Sequence, residues 1–148
     1  MLNKTFISRL KTFEENLDDT VVNLMLKDPR YIIDAIQTRL LNTGIAGDGR
    51  LIGTYSESYK QYKDAKGDES SFITLRDTGD WYSGMKVTKE SKEIIVNSSD
   101  WKNSELKSRE GESILELTEA EINVMVEFKI DPLIQNMLDK FDTIEIKL

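Results

Sequence analysis

The apolar positions near the start of the chain follow a helical spacing. Steps of three and four, with charged residues between them, separate Phe6, Leu10, Phe13, Leu17, Val21 and Leu24. This is the spacing of one face of an amphipathic helix. Asp28 can cap a second helix and Pro29 can occupy its first position, where no N–H partner is needed. With Gly44 as the C-terminal stop, the sequence predicts an N-terminal helical pair that meets at Asp28-Pro29.

The regular spacing is lost after the second helix. Residues 44–53 read Gly-Ile-Ala-Gly-Asp-Gly-Arg-Leu-Ile-Gly, and tyrosines then follow among serines and lysines. We interpret residues 44–71 as a long loop, a feature that in small domains is more often functional than not. Because few apolar residues are available to hold it, we expect this loop to be mobile in an isolated subunit and to be ordered by neighbours in an assembly.

Strand-like runs occupy the middle of the chain, at Phe72–Leu75, Met85–Thr88 and Ile94–Asn97. The polar residues 89–92 separate the last two runs, so the sequence predicts a β-hairpin. Thr118 and Glu121 have the spacing of a capping box at the start of a third helix. This helix is predicted to bend near Pro132 and to give way to a terminal strand over residues 143–148, where apolar and polar residues alternate.

These elements predict one α+β domain over residues 1–148. It has an N-terminal helical pair, a mostly antiparallel small sheet, a long C-terminal helix bent near Pro132, and a terminal strand.

Composition excludes most catalytic chemistry. The 148 residues include no Cys and no His, so there are no Ser-His-Asp, Cys-His or histidine-metal sites. We expect no enzyme activity, no cofactor and no metal. The net charge of −7 disfavours a surface that neutralises phosphates, so we expect no sequence-specific binding to nucleic acid. No apolar run approaches a membrane span or a signal peptide, and we expect a protein made in a cytoplasm.

The negative charge is concentrated near the end of the chain. Residues 111–148 carry nine acidic and three basic side chains, which accounts for six of the seven excess charges. An acidic surface could line a channel through which DNA passes without being bound, and Glu119, Glu121 and Glu127 are the candidates. The alternative is local, because acidic residues in the first turn of a helix stabilise it.

Asp77-Thr78-Gly79 is the tripeptide of aspartic proteases, in which two such carboxylates share a proton. A chain of this length could form that site only as a homodimer. The alternative is a turn in which Asp77 bonds the local backbone and Gly79 takes positive φ.

Aromatic residues cluster in the middle of the chain. The interface candidates are Tyr55, Tyr59, Tyr62, Trp81 and Tyr82. Such side chains are favoured at protein–protein contacts because they combine a large apolar area with a polar group. The alternatives are that the tyrosines stack on bases, which the acidic charge disfavours, and that Trp81 and Trp101 cap the core.

Three segments resemble virion proteins of tailed bacteriophages. They are Gly-Asp-Gly-Arg-Leu-Ile-Gly-Thr-Tyr-Ser-Glu-Ser-Tyr (47–59), Phe-Ile-Thr-Leu-Arg-Asp-Thr-Gly-Asp-Trp-Tyr-Ser-Gly-Met-Lys-Val (72–87) and Gly-Glu-Ser-Ile-Leu-Glu-Leu-Thr-Glu-Ala-Glu (111–121). They look like the tail-completion or virion-morphogenesis group of minor tail and head–tail connector proteins, in phages of Bacteroides-type hosts. The resemblance covers roughly residues 35–138, and Asp80 stands where that group often has arginine.

The resemblance implies a structural subunit of an oligomeric ring at the head–tail junction, with no cofactor and no chemistry. Its expected partners are further copies of itself and the portal or other neck and tail proteins, with passive passage of DNA and no membrane. Its expected location is the virion, after assembly in the host cytoplasm. The alternatives are the homodimeric aspartic protease and a phage-encoded binding protein outside the particle.

Overall fold

The computed structural model describes residues 4–146, which form an α+β fold. The helices are α1 (Lys4–Glu15), α2 (Leu17–Met25), α3 (Pro29–Thr43), α4 (Glu57–Lys66), α5 (Asp80–Ser83), α6 (Asn103–Glu110), α7 (Glu119–Met125) and α8 (Asp131–Ile146). The strands are β1 (Met85–Glu90) and β2 (Glu93–Ser98). A 3₁₀ turn spans Glu112–Leu115 and a π-helical segment spans Val126–Ile130.

Helix α3 forms as the sequence predicts and organises the core. The Asp28 carboxylate accepts a hydrogen bond from the Tyr31 N–H at 3.2 Å, with Pro29 in the first turn. Gly44 ends the helix with φ +63°, a left-handed conformation that glycine adopts without strain. A Cβ at this position would also lie 2.6 Å from Cδ2 of Phe72. The core cluster gathers around the α3 residues Ile32, Ile36 and Leu40, all fully buried.

The single helix predicted from residue 6 to residue 24 is wrong, because the chain breaks at Asn16 into α1 and α2. The Asn16 Nδ2 group donates to the Thr12 carbonyl at 2.7 Å, and the Asn16 backbone N–H approaches the same carbonyl at 3.2 Å. An asparagine side chain that bonds the local backbone in this way competes with regular helix geometry.

Residues 44–71 contain more structure than the predicted long loop. Helix α4 occupies the middle of this segment, between the Ser56 hydroxyl, which accepts from the Tyr59 N–H at 3.4 Å, and Gly67, which has φ +74°. An isolated β-bridge joins Ile45 to Leu51. The prediction failed because α4 is mostly polar and shows little apolar periodicity.

The predicted hairpin is confirmed, whereas the strand predicted at Phe72–Leu75 is not formed. β1 pairs antiparallel with β2 in a register that runs from Met85↔Ser98 to Glu90↔Glu93 across a two-residue turn. Within residues 4–146 these two strands form the only sheet. Residues 72–75 form no ladder, since the Thr74 carbonyl accepts from the Tyr82 hydroxyl and Leu75 has φ +59°, outside the extended region.

The C-terminal part is helical beyond the point where a strand is predicted. The Thr118–Glu121 capping box is confirmed, because each residue's side chain accepts from the other's backbone N–H. Pro132 has no N–H for regular helix bonding, and the π-helical segment immediately precedes α8. The predicted terminal strand is wrong for residues 143–146, which belong to α8, and residues 147–148 lie outside the described part of the chain.

Candidate functional site

An open groove of about 640 Å³ lies between residues 54–59, the loop at 73–79, α5 and α6. We call it the aromatic groove. Its aromatic lining consists of Tyr55, Tyr59, Trp81, Tyr82 and Trp101. The structure therefore brings together four of the five interface candidates, although they are up to 27 positions apart in the sequence. Tyr62 is not part of the lining, but its ring lies 5.5 Å from that of Tyr59.

Thr74 holds two of these tyrosines in place. The Tyr82 hydroxyl donates to the Thr74 carbonyl, and the Thr74 N–H donates to the Tyr55 hydroxyl oxygen at 3.1 Å. Burial raises the pKa of the Tyr82 phenol, so this group remains a neutral donor at ordinary pH. Burial also raises the pKa of Tyr59, with a further contribution from the Asp77 carboxylate. Hydrogen bonds to the Thr74 backbone thus position the phenols of Tyr55 and Tyr82 at the base of the groove.

A buried cation lies behind the tyrosines. Lys63 is only 2% exposed, and its Nζ donates to the Arg76 carbonyl. The same Nζ lies 5.3 Å from the ring centroid of Tyr55 and 6.0 Å from that of Tyr59. No carboxylate in the described residues forms an ion pair with it, so a carbonyl and two aromatic faces stabilise the charge. Lys63 therefore fixes α4 to the loop that forms the groove.

The two tryptophans have opposite environments. Trp81 is 4% exposed, and its Nε1 donates to the Asn103 side chain at 3.0 Å. Trp101 is 80% exposed at the edge of the groove, where its ring meets Lys102 Nζ at 5.6 Å. The core alternative is thus correct for Trp81 and wrong for Trp101, and Tyr82 is also buried.

The Asp-Thr-Gly segment lines the groove as a turn. Gly79 has φ +95°, as the turn interpretation requires. The local bond is made by Thr78 rather than by Asp77, because the Thr78 hydroxyl oxygen accepts from the Asp80 N–H at 3.3 Å. Asp77 instead lies 3.8 Å from the ammonium groups of both Lys66 and Lys102. A protease dyad would need the same carboxylate to meet that of a second copy.

Arg76 is a cation of the groove that forms no ion pair with a carboxylate of the described residues. Glu105 and Glu110 pair with Arg109 at 3.6 and 2.5 Å. No acidic group among residues 4–146 forms an ion pair with the Arg76 side chain. The groove therefore combines an exposed indole with a guanidinium that is available to a carboxylate or a carbonyl of another molecule.

The channel-lining candidates separate into two kinds. Glu119 and Glu127 are exposed, whereas the Glu121 carboxylate pairs with Arg39 and accepts the Thr118 N–H at 2.8 Å. Burial lowers the pKa of Arg39, and its pairing with Glu121 opposes that effect. Glu121 therefore serves the fold, as the helix-stability alternative proposes, and the other two carboxylates remain at the surface.

Sequence reasoning missed Lys63, Arg76 and the exposed position of Trp101. For Trp101 a signal was present, because its neighbours from 97 to 105 are almost all polar, which is typical of an exposed tryptophan. Nothing in the local pattern around Lys63 indicates that it is buried, since α4 is mostly polar and residues 60–62 and 64–66 are all exposed.

Three further findings bear on function. Within the described residues no group of three or more acidic, His or Cys side chains could hold a metal ion. No helix in the part of the chain that the structure describes is both long enough and apolar enough to cross a membrane. Comparison of the chain with protein-family models, curated proteins and solved structures finds no match.

Proposed function

We propose that this chain is a structural assembly subunit whose aromatic groove receives an element of a neighbouring subunit. The observation that carries the proposal is Trp101, a large apolar side chain that is 80% exposed beside a groove of other aromatics. An indole in that position gains most from burial against a partner, which is why tryptophan and arginine dominate the energetics of interfaces.

The chemistry of the groove supports binding rather than catalysis. The Tyr55 and Tyr82 hydroxyls are engaged in hydrogen bonds with Thr74, and Asp77 is flanked by Lys66 and Lys102. Arg76 forms no ion pair with any carboxylate in the described part of the chain, so the inserted element should present a carboxylate or a backbone carbonyl beside an apolar side chain.

The sequence resemblance gives this assembly a place. In the proposal, copies of the chain form a ring at the head–tail junction of a tailed phage and contact the portal or other neck proteins. DNA passes through the ring, and the exposed carboxylates of Glu119 and Glu127 would then repel phosphates at the wall. The groove is equally compatible with a phage-encoded binding protein that acts outside the particle.

Sedimentation velocity over a range of protein concentrations tests self-association. We expect species larger than a dimer, which Trp101→Ala converts to monomers. Phe128→Ala is the matched control, because Phe128 is a 68% exposed aromatic that does not line the groove. A chain that stays monomeric, or an assembly equally stable in Trp101→Ala, would contradict the proposal.

Gold-labelled antibody against the protein, imaged on purified particles, tests its location. Label at the neck supports the ring, and its absence from particles favours the non-virion alternative. A peptide-library digestion at acid pH with wild type and Asp77→Asn tests the protease alternative, and we expect no cleavage by either.

A further inference from the structure

The outer edge of β2 is not paired with any other strand of residues 4–146. The Ser99 N–H donates to the Gly84 carbonyl, and these two residues lie opposite each other just beyond the last pair of the ladder, Met85↔Ser98. Gly84 and Ser99 therefore form a hydrogen-bonded pair, which fixes which pairs of the hairpin are hydrogen-bonded. Hydrogen-bonded pairs alternate with non-hydrogen-bonded pairs along an antiparallel ladder, and Ile94 and Val96 belong to non-hydrogen-bonded pairs. Their backbone N–H and C=O groups therefore point away from β1. Within residues 4–146 no hydrogen bond satisfies these outward groups.

An apolar groove of about 520 Å³ adjoins this edge and is distinct from the aromatic groove, with which it shares no lining residue. Ile94 and Val96 lie along one side, and Val22, Met25, Leu117 and Ile122 contribute to the rest. A strand placed beside β2 could hydrogen-bond to these backbone groups. Every second side chain of that strand would contact the apolar groove.

The charges around this second groove are mostly negative. Its lining includes Glu93, Glu112, Glu116 and Lys107. Lys107 pairs with Glu112 at 2.7 Å, whereas no cation in the described range forms an ion pair with Glu93 or Glu116. Two carboxylates thus remain for the charges of an occupant.

We propose that the β2 edge binds an extended segment of another protein, which adds as a third strand and has alternating apolar residues flanked by lysine or arginine. Backbone bonds to Ile94 and Val96 fix the strand, the apolar groove takes alternate side chains, and Glu93 and Glu116 select the basic flanks. A second copy of this chain is disfavoured as occupant, because its own β2 would bring the same glutamates to the contact. The inference does not depend on the aromatic groove.

The test uses the full chain labelled with ¹⁵N and a capped peptide of sequence Lys-Val-Thr-Val-Thr-Val-Lys. We expect this peptide to bind and to slow hydrogen exchange at the amides of Ile94 and Val96. A peptide with glutamate in place of both lysines should bind about tenfold more weakly, because two favourable charge contacts become repulsive. A peptide N-methylated on alternate backbone nitrogens along its bonding edge should not protect the two amides.

A charge variant separates the contribution of Glu93 and Glu116 from that of the backbone hydrogen bonds. In Glu93→Gln/Glu116→Gln the lysine and glutamate peptides should bind within about twofold of each other. The matched control, Glu57→Gln/Glu127→Gln, changes two exposed carboxylates that do not line this groove and should preserve the difference.

Three outcomes would overturn the inference. They are absence of amide protection at saturating peptide, equal binding of the N-methylated peptide, and protection of Ile94 and Val96 by self-association in the absence of peptide. None of these depends on Trp101, so the result is independent of the test of the aromatic groove.

Discussion

Arg39 links three parts of the fold, and its replacement by methionine should weaken all three connections at once. Its Nε donates to the Ile45 carbonyl and its Nη2 to the Glu116 carbonyl, both at 2.8 Å. Its Nη1 pairs with the Glu121 carboxylate at the start of α7. The side chain is 8% exposed, so water cannot readily replace these bonds. Methionine fills similar space without a donor.

The size of the effect follows from what is left unpaired. Hydrogen bonds from a charged donor contribute roughly 1.5–3 kcal/mol each, and breaking a buried ion pair costs about 3–5 kcal/mol. The Glu121 side chain is 20% exposed and keeps the Thr118 N–H, so we discount the ion-pair contribution. We expect Arg39→Met to lower the free energy of unfolding by about 3 kcal/mol, equivalent to a fall in Tm of about 10 °C.

Urea unfolding followed by circular dichroism measures the change, provided that the slope m stays constant. Glu121→Gln should cost only about 1 kcal/mol, because the amide oxygen can still accept the capping bond. The surface control is Arg30→Met, which removes a solvent-exposed pair with Asp34 and should change stability by less than about 0.5 kcal/mol. If Arg39→Met costs no more than Arg30→Met, the reasoning is refuted.

Three further predictions concern other parts of the molecule. In thermal unfolding, Gly44→Ala should lower the free energy of unfolding by about 3 kcal/mol, because left-handed backbone strain adds to a steric clash. Gly49→Ala, with φ +84° in open space, should lower it by only about 1 kcal/mol, and equal losses would contradict this. Hydrogen bonds from a lysine ammonium and a backbone N–H lower the pKa of Asp28 in the folded state; its stabilising contribution is therefore complete above the unfolded pKa near 4 and lost as pH falls through the folded pKa. The drop in urea midpoint between pH 6 and pH 3 should accordingly be smaller in Asp28→Asn than in wild type, and an equal drop would refute the assignment. Lys63→Met should speed hydrogen exchange in the loop at the base of the aromatic groove, while Lys60→Met, at an exposed position, should not; unchanged exchange in Lys63→Met would show that the buried ammonium does not hold the loop.

Elements with local end signals were predictable from the sequence. Helix α3 begins at Pro29 and ends before Gly44, and Thr118 caps the start of α7. These signals were readable because each acts through hydrogen bonds or backbone angles within a few residues. The hairpin was predictable for the same reason, since its turn and both strands are contiguous. In these cases the tertiary structure did not override the local preference.

Elements that depend on distant contacts were not predictable. Residues 72–75 have strand-forming side chains, but no strand in the described part of the chain pairs with them, and Tyr55 and Tyr82 bond the backbone of Thr74 instead. Residues 143–146 alternate in the manner of a strand and nevertheless continue α8. Composition drew attention to the tyrosines and Trp81, whereas the buried position of Lys63 arises from contacts across the loop and could not be inferred from its neighbours.

The contrast between Trp81 and Trp101 gives the protein two built-in spectroscopic reporters. An indole at 4% exposure emits at shorter wavelength and is shielded from iodide, whereas one at 80% exposure emits at longer wavelength and is quenched. Because the chain has only two tryptophans, the unlabelled protein's emission separates into a signal for the core and a signal for the edge of the aromatic groove. Unfolding should shift the blue component to the red, and occupation of the groove should shift the red component to the blue, so the two events move the spectrum in opposite directions.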